Sequence, residues 1–154
     1  SAPVIEMESL MFTEMGENVL IYGSNAQAFD AALWLTVHKK HVTMITPNAA
    51  EEMDMQQSQH AMRMMTTALY SLGFSAWPKA SLKSVNQNKA VIMTEAGVEM
   101  EIACDAIVNA ADMLPNTSLL EGLSVAETYA VGDCANPFNI AKAIHAGNDA
   151  GRAV

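Results

Sequence analysis

Basic residues are scarce in this sequence. Eight Lys and Arg stand against 17 Asp and Glu, which gives a formal net charge of −9. The basic residues are scattered singly or in pairs, so no patch can neutralise several phosphates of a nucleic acid or dock on an anionic membrane. Aromatic residues make up only 6% of the chain, and their sparse placement fits a hydrophobic core better than a base-stacking surface. We therefore expect neither a nucleic acid nor a membrane as a partner.

Cysteine and long apolar runs are also scarce. The two cysteines, Cys104 and Cys134, show no CxxC or Cys/His ligand spacing, so a disulfide framework is not expected. No stretch approaches the roughly 18 apolar residues of a membrane span. The first residues, SAPVIEMESL, have neither the basic nor the apolar region of a secretory signal. The expected location is the cytoplasm.

The chain is nevertheless rich in residues that form a core. It has 154 residues, of which 51% are hydrophobic and 16% are charged, as is typical of a folded domain. Helical spacing or helix-forming composition predicts helices over residues 26–38 and 51–72. Strand patterns cover residues 19–22, 41–46, 80–84, 90–94, 99–103 and 106–110. This order predicts an α/β, Rossmann-like three-layer domain with a mostly parallel sheet and a small antiparallel β-meander.

Two segments at opposite ends of the chain predict a strand, a tight turn and a helix. Residues 18–35 are NVLIYGSNAQAFDAALWL, with the turn at Gly23, and residues 128–154 are TYAVGDCANPFNIAKAIHAGNDAGRAV. Such a turn is typical of dinucleotide-binding βαβ units. In the second segment we predict a short strand at residues 129–131, a turn at Gly132 and Asp133, and a helix over residues 140–153. The Asp133 carboxylate would then lie where a ribose or ribityl hydroxyl binds.

The first turn departs from the usual glycine pattern. Residues 23–28 are GSNAQA, so Gly23 is kept, Asn25 stands at the second glycine position, and the third holds a tolerated alanine. Two interpretations remain open. Backbone N–H groups at the helix start, with the Ser24 hydroxyl, hold a diphosphate, or Gly23 only makes the turn and the site is vestigial. Because the Asn25 Cβ would crowd a phosphate, we expect weak binding.

Several segments in the same order resemble one protein family. These are FDAALWL at residues 29–35, DAIVNAADMLPN at residues 105–116 and AVGDCANPFNIAKAI at residues 130–144. They resemble the nicotinamide-binding domain of two-dinucleotide-fold flavoprotein reductases. The greatest resemblance is to the NADH:flavin oxidoreductase group that includes 2,4-dienoyl-CoA reductase and trimethylamine dehydrogenase.

The resemblance implies a function in positioning NAD or NADP for hydride transfer to a flavin. It assigns no catalytic residue and no metal ligand to this chain. The cofactor-binding residues that it implies are Gly23, Ser24, Asn25 and Ala26 at the diphosphate, Thr46 at the adenosine ribose, and Gly132 and Asp133 on an FAD face. Thr46 is neither a carboxylate nor an arginine, so neither cofactor is selected there. NAD is favoured over NADP because no Lys or Arg lies between Lys40 and Arg63.

Members of the family also carry parts that this chain lacks. They have an FMN barrel, usually a 4Fe-4S cluster, and an FAD-type domain into which the nicotinamide domain is inserted. We therefore expect residues 1–127 to be the inserted NAD(P)-binding-like domain and residues 128–154 to be the segment that returns to the FAD domain. On this view the chain is an excised piece that does not turn over alone. Its expected partners are the remaining domains of the parent, or a second copy in a homodimer.

Two alternatives come from other classes of protein. The chain is a noncatalytic nucleotide-binding or structural module with a vestigial site, or a module that binds Cu(I) through its methionines. The second alternative rests on a cluster of thioethers and one imidazole within thirteen residues: Met53, Met55, His60, Met62, Met64 and Met65. Helical spacing of Met62, Met65, Leu69 and Leu72 instead favours packing, in the core or against an absent partner domain, for which Met is well suited.

Overall fold

A five-stranded parallel sheet forms the centre of the first of two units, which ends at Ala111. This computed structural model describes residues 2–53, 58–86 and 88–153. In chain order the strands are β1 (Val4–Glu6), β2 (Asn18–Tyr22), β3 (His41–Ile45), β4 (Phe74–Trp77), β5 (Ser81–Asn86), β6 (Lys89–Met93), β7 (Glu99–Ala103) and β8 (Ala106–Asn109). The parallel sheet has the order β1-β8-β2-β3-β4, and β5, β6 and β7 form a separate antiparallel sheet.

Both faces of the parallel sheet are buried. Helices α1 (Ala26–Val37) and α2 (Gln59–Ser71) share one core with Val19 and Ile21 of β2. Leu20, between them, belongs to a second core with Ile92 of the antiparallel sheet. Successive side chains of a strand point to opposite faces, so β2 contributes to both cores. The unit therefore has three layers, of helices, parallel sheet and antiparallel sheet.

The predicted fold class is confirmed. The three strands predicted at residues 19–22, 41–46 and 106–110 are neighbours in one parallel sheet, and the predicted meander is the antiparallel sheet. Strands β1 and β4 are additions at the two edges that the sequence patterns did not predict. They have only three and four residues, and so short a segment carries little alternation.

The predicted start of the second helix was wrong. Residues Ala50–Glu52 form a single 3₁₀ turn, and Met53 is extended, with φ −69° and ψ 128°. Helix α2 begins at Gln59, where the Ser58 hydroxyl accepts a hydrogen bond from the Ala61 N–H at 3.3 Å. A serine cap of this kind marks a helix start, because it satisfies an N–H group that has no partner within the helix. Residues 54–57 lie outside the described residues.

The second unit begins at Asp112 and contains α3 (Ile140–Ala153). The strand predicted at residues 129–131 was wrong. These residues have no strand pairing, and Gly132–Cys134 forms a 3₁₀ turn. A strand needs a neighbour to receive its hydrogen bonds, and residues 112–153 contain no other strand. None of the helices in the described part of the chain has the length and apolar composition that crossing a membrane requires.

Candidate nucleotide site

The turn after β2 lies at the carboxyl end of the parallel sheet. The Gly23 N–H donates to the Ile45 carbonyl at 2.9 Å, and the Ala110 N–H donates to the Tyr22 carbonyl at 2.9 Å. The ends of β3, β2 and β8 therefore meet at this turn. Open α/β sheets bind ligands in the crevice at this edge, and the predicted residues Gly23 to Ala26 and Thr46 lie there.

Gly23 is required by the backbone itself. Its φ is +125°, and a Cβ at this position would lie 1.9 Å from the carbonyl oxygen of Ala110. No side chain fits such a gap without displacing the end of β8. The glycine is thus explained by the close approach of two backbone segments, whether or not a ligand binds.

Asn25 occupies the first turn of α1 with its own side chain. Its Oδ1 accepts a hydrogen bond from the Ala28 N–H at 3.0 Å, which makes it the N-cap of the helix. Its Nδ2 donates to the Ala110 carbonyl at 3.1 Å and lies 3.5 Å from the Ala111 carbonyl. The side chain therefore joins the helix start to the segment that follows β8.

The hydroxyls of Ser24 and Thr46 face into the protein. Ser24 is 1% exposed and Thr46 is fully buried, and their oxygens lie 2.9 Å apart. Asn48 completes the cluster, since its Nδ2 donates to Ser24 Oγ at 3.3 Å and its N–H donates to Thr46 Oγ1 at 3.2 Å. The sequence patterns did not identify Asn48. Ala26, the fourth residue assigned to the diphosphate, is partly exposed in the first turn of α1.

Lys79 lies next to Asn48 and is surrounded by carboxylates. The Lys79 N–H donates to the Asn48 carbonyl at 2.9 Å, and the Lys79 ammonium donates to Glu95 at 2.6 Å. This hydrogen bond raises the pKa of Lys79, and the charges of Glu51 and Glu52 add to the effect. The ammonium of Lys79, whose backbone N–H contacts Asn48, is therefore engaged by the Glu95 carboxylate.

Gly132 and Asp133 lie in the second unit. Gly132 has φ +69° and opens the 3₁₀ turn, and Asp133 is exposed. Asp133 lines a cavity of about 500 Å³ whose other lining residues come from the start of α3 and the segment before it. Asn139 caps this helix, because its Oδ1 accepts from the Lys142 N–H at 2.9 Å.

The methionine-rich segment contributes to the core. Met53, Met62 and Met65 pack against the cluster that contains buried Leu69, so core packing holds for Met62, Met65 and Leu69. Leu72, the fourth residue of the predicted set, is 45% exposed. Met64 is exposed, and Met55 lies outside the described residues. Among residues 2–53, 58–86 and 88–153, no three His, Cys, Asp or Glu side chains come together as a metal site.

No protein-family profile matches this chain, and none of the curated proteins matches it in sequence. Its fold does match solved structures. Histamine dehydrogenase from Rhizobium sp. 4-9 superposes with a TM-score of 0.78 at 18% identity, over 98% of this chain and 26% of that one. 2-Naphthoyl-CoA reductase gives 0.75 at 20% identity, over 94% of this chain and 22% of that one. The HOCl-induced flavoprotein disulfide reductase of Escherichia coli gives 0.67 at 16% identity, over 96% and 39%.

The matches show that this chain has a fold found in oxidoreductases, a flavoprotein among them. The first two structures are much longer, and the chain spans about a quarter of their length. Identity of this order establishes the fold and leaves function to be argued from the site.

Gly23→Ala tests the close approach of the two backbones. We expect a loss of about 3 kcal/mol or more in the free energy of unfolding, because the added methyl overlaps the Ala110 carbonyl. Gly97→Ala is the control, since Gly97 also has a positive φ but no atom within 4 Å of the added Cβ. It should lose only about 1–2 kcal/mol. Urea denaturation measures both, and equal losses would contradict the overlap.

The two cysteines differ in their surroundings. Cys104 is fully buried and Cys134 is exposed. Burial, with a smaller contribution from the charge of Asp105, raises the pKa of the Cys104 thiol to about 11. The thiolate is the reactive form of cysteine, so Cys104 combines poor access with a low thiolate fraction.

Alkylation should therefore separate the two thiols. At about pH 8, roughly one Cys104 thiol in a thousand is ionised, and iodoacetamide should modify Cys134 long before Cys104. Peptide mass spectrometry reads both sites in one experiment. In urea the two rates should become similar, and similar rates in the folded protein would contradict the burial of Cys104.

Proposed function

We propose that this chain is the nicotinamide-nucleotide domain of a flavin-dependent oxidoreductase related to the NADH:flavin oxidoreductase group, with a degenerate phosphate turn. In the parent enzyme the domain would place NADH or NADPH at the carboxyl ends of β2 and β3, toward a neighbouring flavin. The cofactors supply the hydride chemistry, and the protein supplies binding and orientation. The isolated chain is then expected not to turn over, because the flavin belongs to other domains.

One observation carries this proposal. The turn at Gly23 joins a buried parallel strand to the start of α1 at the edge where β3 and β8 also end. This arrangement is the geometry in which α/β folds receive a dinucleotide. The similarity to oxidoreductases over nearly the whole chain supports the same assignment.

The polar groups at the first turn are not free to bind a diphosphate. Asn25 already takes the Ala28 N–H, and the hydroxyls of Ser24 and Thr46 are buried against each other. These contacts favour the second candidate, a noncatalytic module that keeps the fold and binds an adenine nucleotide or nothing. The two candidates differ in whether NADH is held at the first turn at all.

Titration with NADH, followed by NMR, separates the two candidates. We expect a dissociation constant on the order of a millimolar or weaker, because ligand oxygens must compete with the Asn25 side chain. The amide signals that shift should be those of residues 23–28 and of the loop after β3. NADPH should bind no better, since no Lys or Arg lies between Lys40 and Arg63 to pair with its 2′-phosphate.

Two results would contradict the first candidate. Saturation with shifts confined to residues away from the turn would place the ligand elsewhere, and the absence of any shift at high NADH would favour the noncatalytic module. Micromolar binding would leave the function intact and refute the degenerate turn.

The second unit supports a proposal about partners. No residue between 112 and 153 is buried, and Ile140 and Ile144 of α3 are 79% and 65% exposed. The chain spans about a quarter of the length of 2-naphthoyl-CoA reductase and of histamine dehydrogenase. We propose that the remaining domains of a parent enzyme cover this helix, and that a second copy does so when the chain is alone.

Ile144→Asp tests this proposal about the isolated chain. At about 100 μM the unaltered protein should associate, and the variant should shift toward monomer, because a buried carboxylate opposes an apolar contact. Its melting temperature should change little. His145→Asp adds one negative charge about 100° around the helix and should leave association unchanged. Light scattering measures both, and an unaltered protein that is monomeric, or an Ile144→Asp variant that unfolds, would contradict the interface.

A further inference from the structure

The side chain of Asn25 makes hydrogen bonds to the start of α1 and to the segment after β8. Its carboxamide oxygen accepts from the Ala28 N–H in the first turn of α1, at 3.0 Å. Its amide group donates to the Ala110 carbonyl at 3.1 Å and faces the Ala111 carbonyl at 3.5 Å. Both ends of the carboxamide are therefore satisfied within the chain, and the side chain is fixed between a helix start and a strand end.

An anion at this helix start would need the same N–H group. The free N–H groups of a first helical turn hold phosphates in dinucleotide sites, with the positive end of the helix dipole adding to the attraction. In α1 one of those groups, the Ala28 N–H, already donates to the neutral carboxamide oxygen of Asn25. A diphosphate therefore has to displace the carboxamide before it can bind.

We propose that the Asn25 carboxamide, and not the bulk of its Cβ, is what closes the start of α1 to diphosphates. Asn25 is then the residue that determines ligand specificity at this turn. The inference rests on the proposed function, since it concerns the same site. It goes further by assigning the closure to one functional group whose removal reopens the site.

The two explanations differ in what they predict for alanine. Asn25→Ala keeps the Cβ and removes the carboxamide, whereas Asn25→Gly removes both. If the carboxamide closes the site, the two variants gain binding alike. If the Cβ closes it, only the glycine variant gains. Asn25→Asp keeps an acceptor for the Ala28 N–H and adds a negative charge, so it should bind no better than the unaltered chain.

The test uses two probes, inorganic pyrophosphate and NADH, with the full chain and amide NMR as the readout. For Asn25→Ala and Asn25→Gly we expect pyrophosphate affinity to rise about tenfold, the change that one hydrogen bond of ordinary strength accounts for. The shift should be centred on the Ala28 amide. Ser58→Ala is the control, because it removes the cap of α2 and leaves the turn intact. It should lose some stability and gain no affinity.

Each outcome has a distinct meaning. Tighter pyrophosphate binding by Asn25→Ala supports the proposal even if NADH never binds, in which case the proposed function fails and the closure stands. A gain confined to Asn25→Gly would assign the closure to the Cβ and overturn the proposal. So would pyrophosphate binding by no variant, or equal binding by the unaltered chain and Asn25→Ala.

Folding of the variants is checked by the same spectra. Asn25→Ala loses a helix cap and the hydrogen bond to the Ala110 carbonyl, so its melting temperature should fall further than that of Ser58→Ala, which loses only a capping hydrogen bond. If Asn25→Ala does not fold, Asn25→Cys decides the question. A cysteine keeps the Cβ, and its sulfur is only a weak acceptor for the Ala28 N–H, so a gain in pyrophosphate affinity like that of Asn25→Gly would support the proposal, and no gain would overturn it.

Discussion

The carbonyl of Ala110 is the point on which the arrangement of the site depends. A Cβ on Gly23 would lie 1.9 Å from its oxygen, and the Asn25 amide donates to the same oxygen at 3.1 Å. The Ala110 N–H in turn donates to the end of β2. Strand β8, the turn after β2 and the start of α1 are therefore held by contacts to one residue. The close approach of Gly23 to the Ala110 carbonyl fixes the conformation of the turn and therefore the geometry of the site.

This constraint changes how the glycine is interpreted. In a dinucleotide site the first glycine permits a tight turn, and the second lets the backbone approach the pyrophosphate. Here the first requirement holds in full, since Gly23 has φ +125°. The second is not met, because Asn25 and not glycine stands at that position, and its side chain accepts from the Ala28 N–H. A chain can keep the first glycine for packing alone, so that residue is weak support for nucleotide binding.

The sequence predicted those parts of the fold that depend on local patterns. The central strands β2, β3 and β8 are apolar runs, as expected of strands buried on both faces, and the meander shows alternation and a turn at Gly97. The start of α2 was missed because the Glu- and Met-rich run before Ser58 favours helix as strongly as the true helix does. The pairing of Ser24 with Thr46 was missed for another reason. It joins residues 22 apart, and no local pattern encodes such a contact.

Ligand binding at this turn depends on whether hydrogen bonds to a ligand can replace the hydrogen bonds within the chain. Ser24, Asn25 and Thr46 are polar residues at the carboxyl edge of the sheet, where open α/β folds bind ligands, yet each already has a partner in the chain. A ligand gains little by replacing one satisfied hydrogen bond with another, because the net free energy is the difference between them. Sites that bind tightly leave groups for the ligand to satisfy. The same fold can therefore bind a dinucleotide or satisfy its own polar groups, and on our proposal the Asn25 carboxamide decides between the two at this turn.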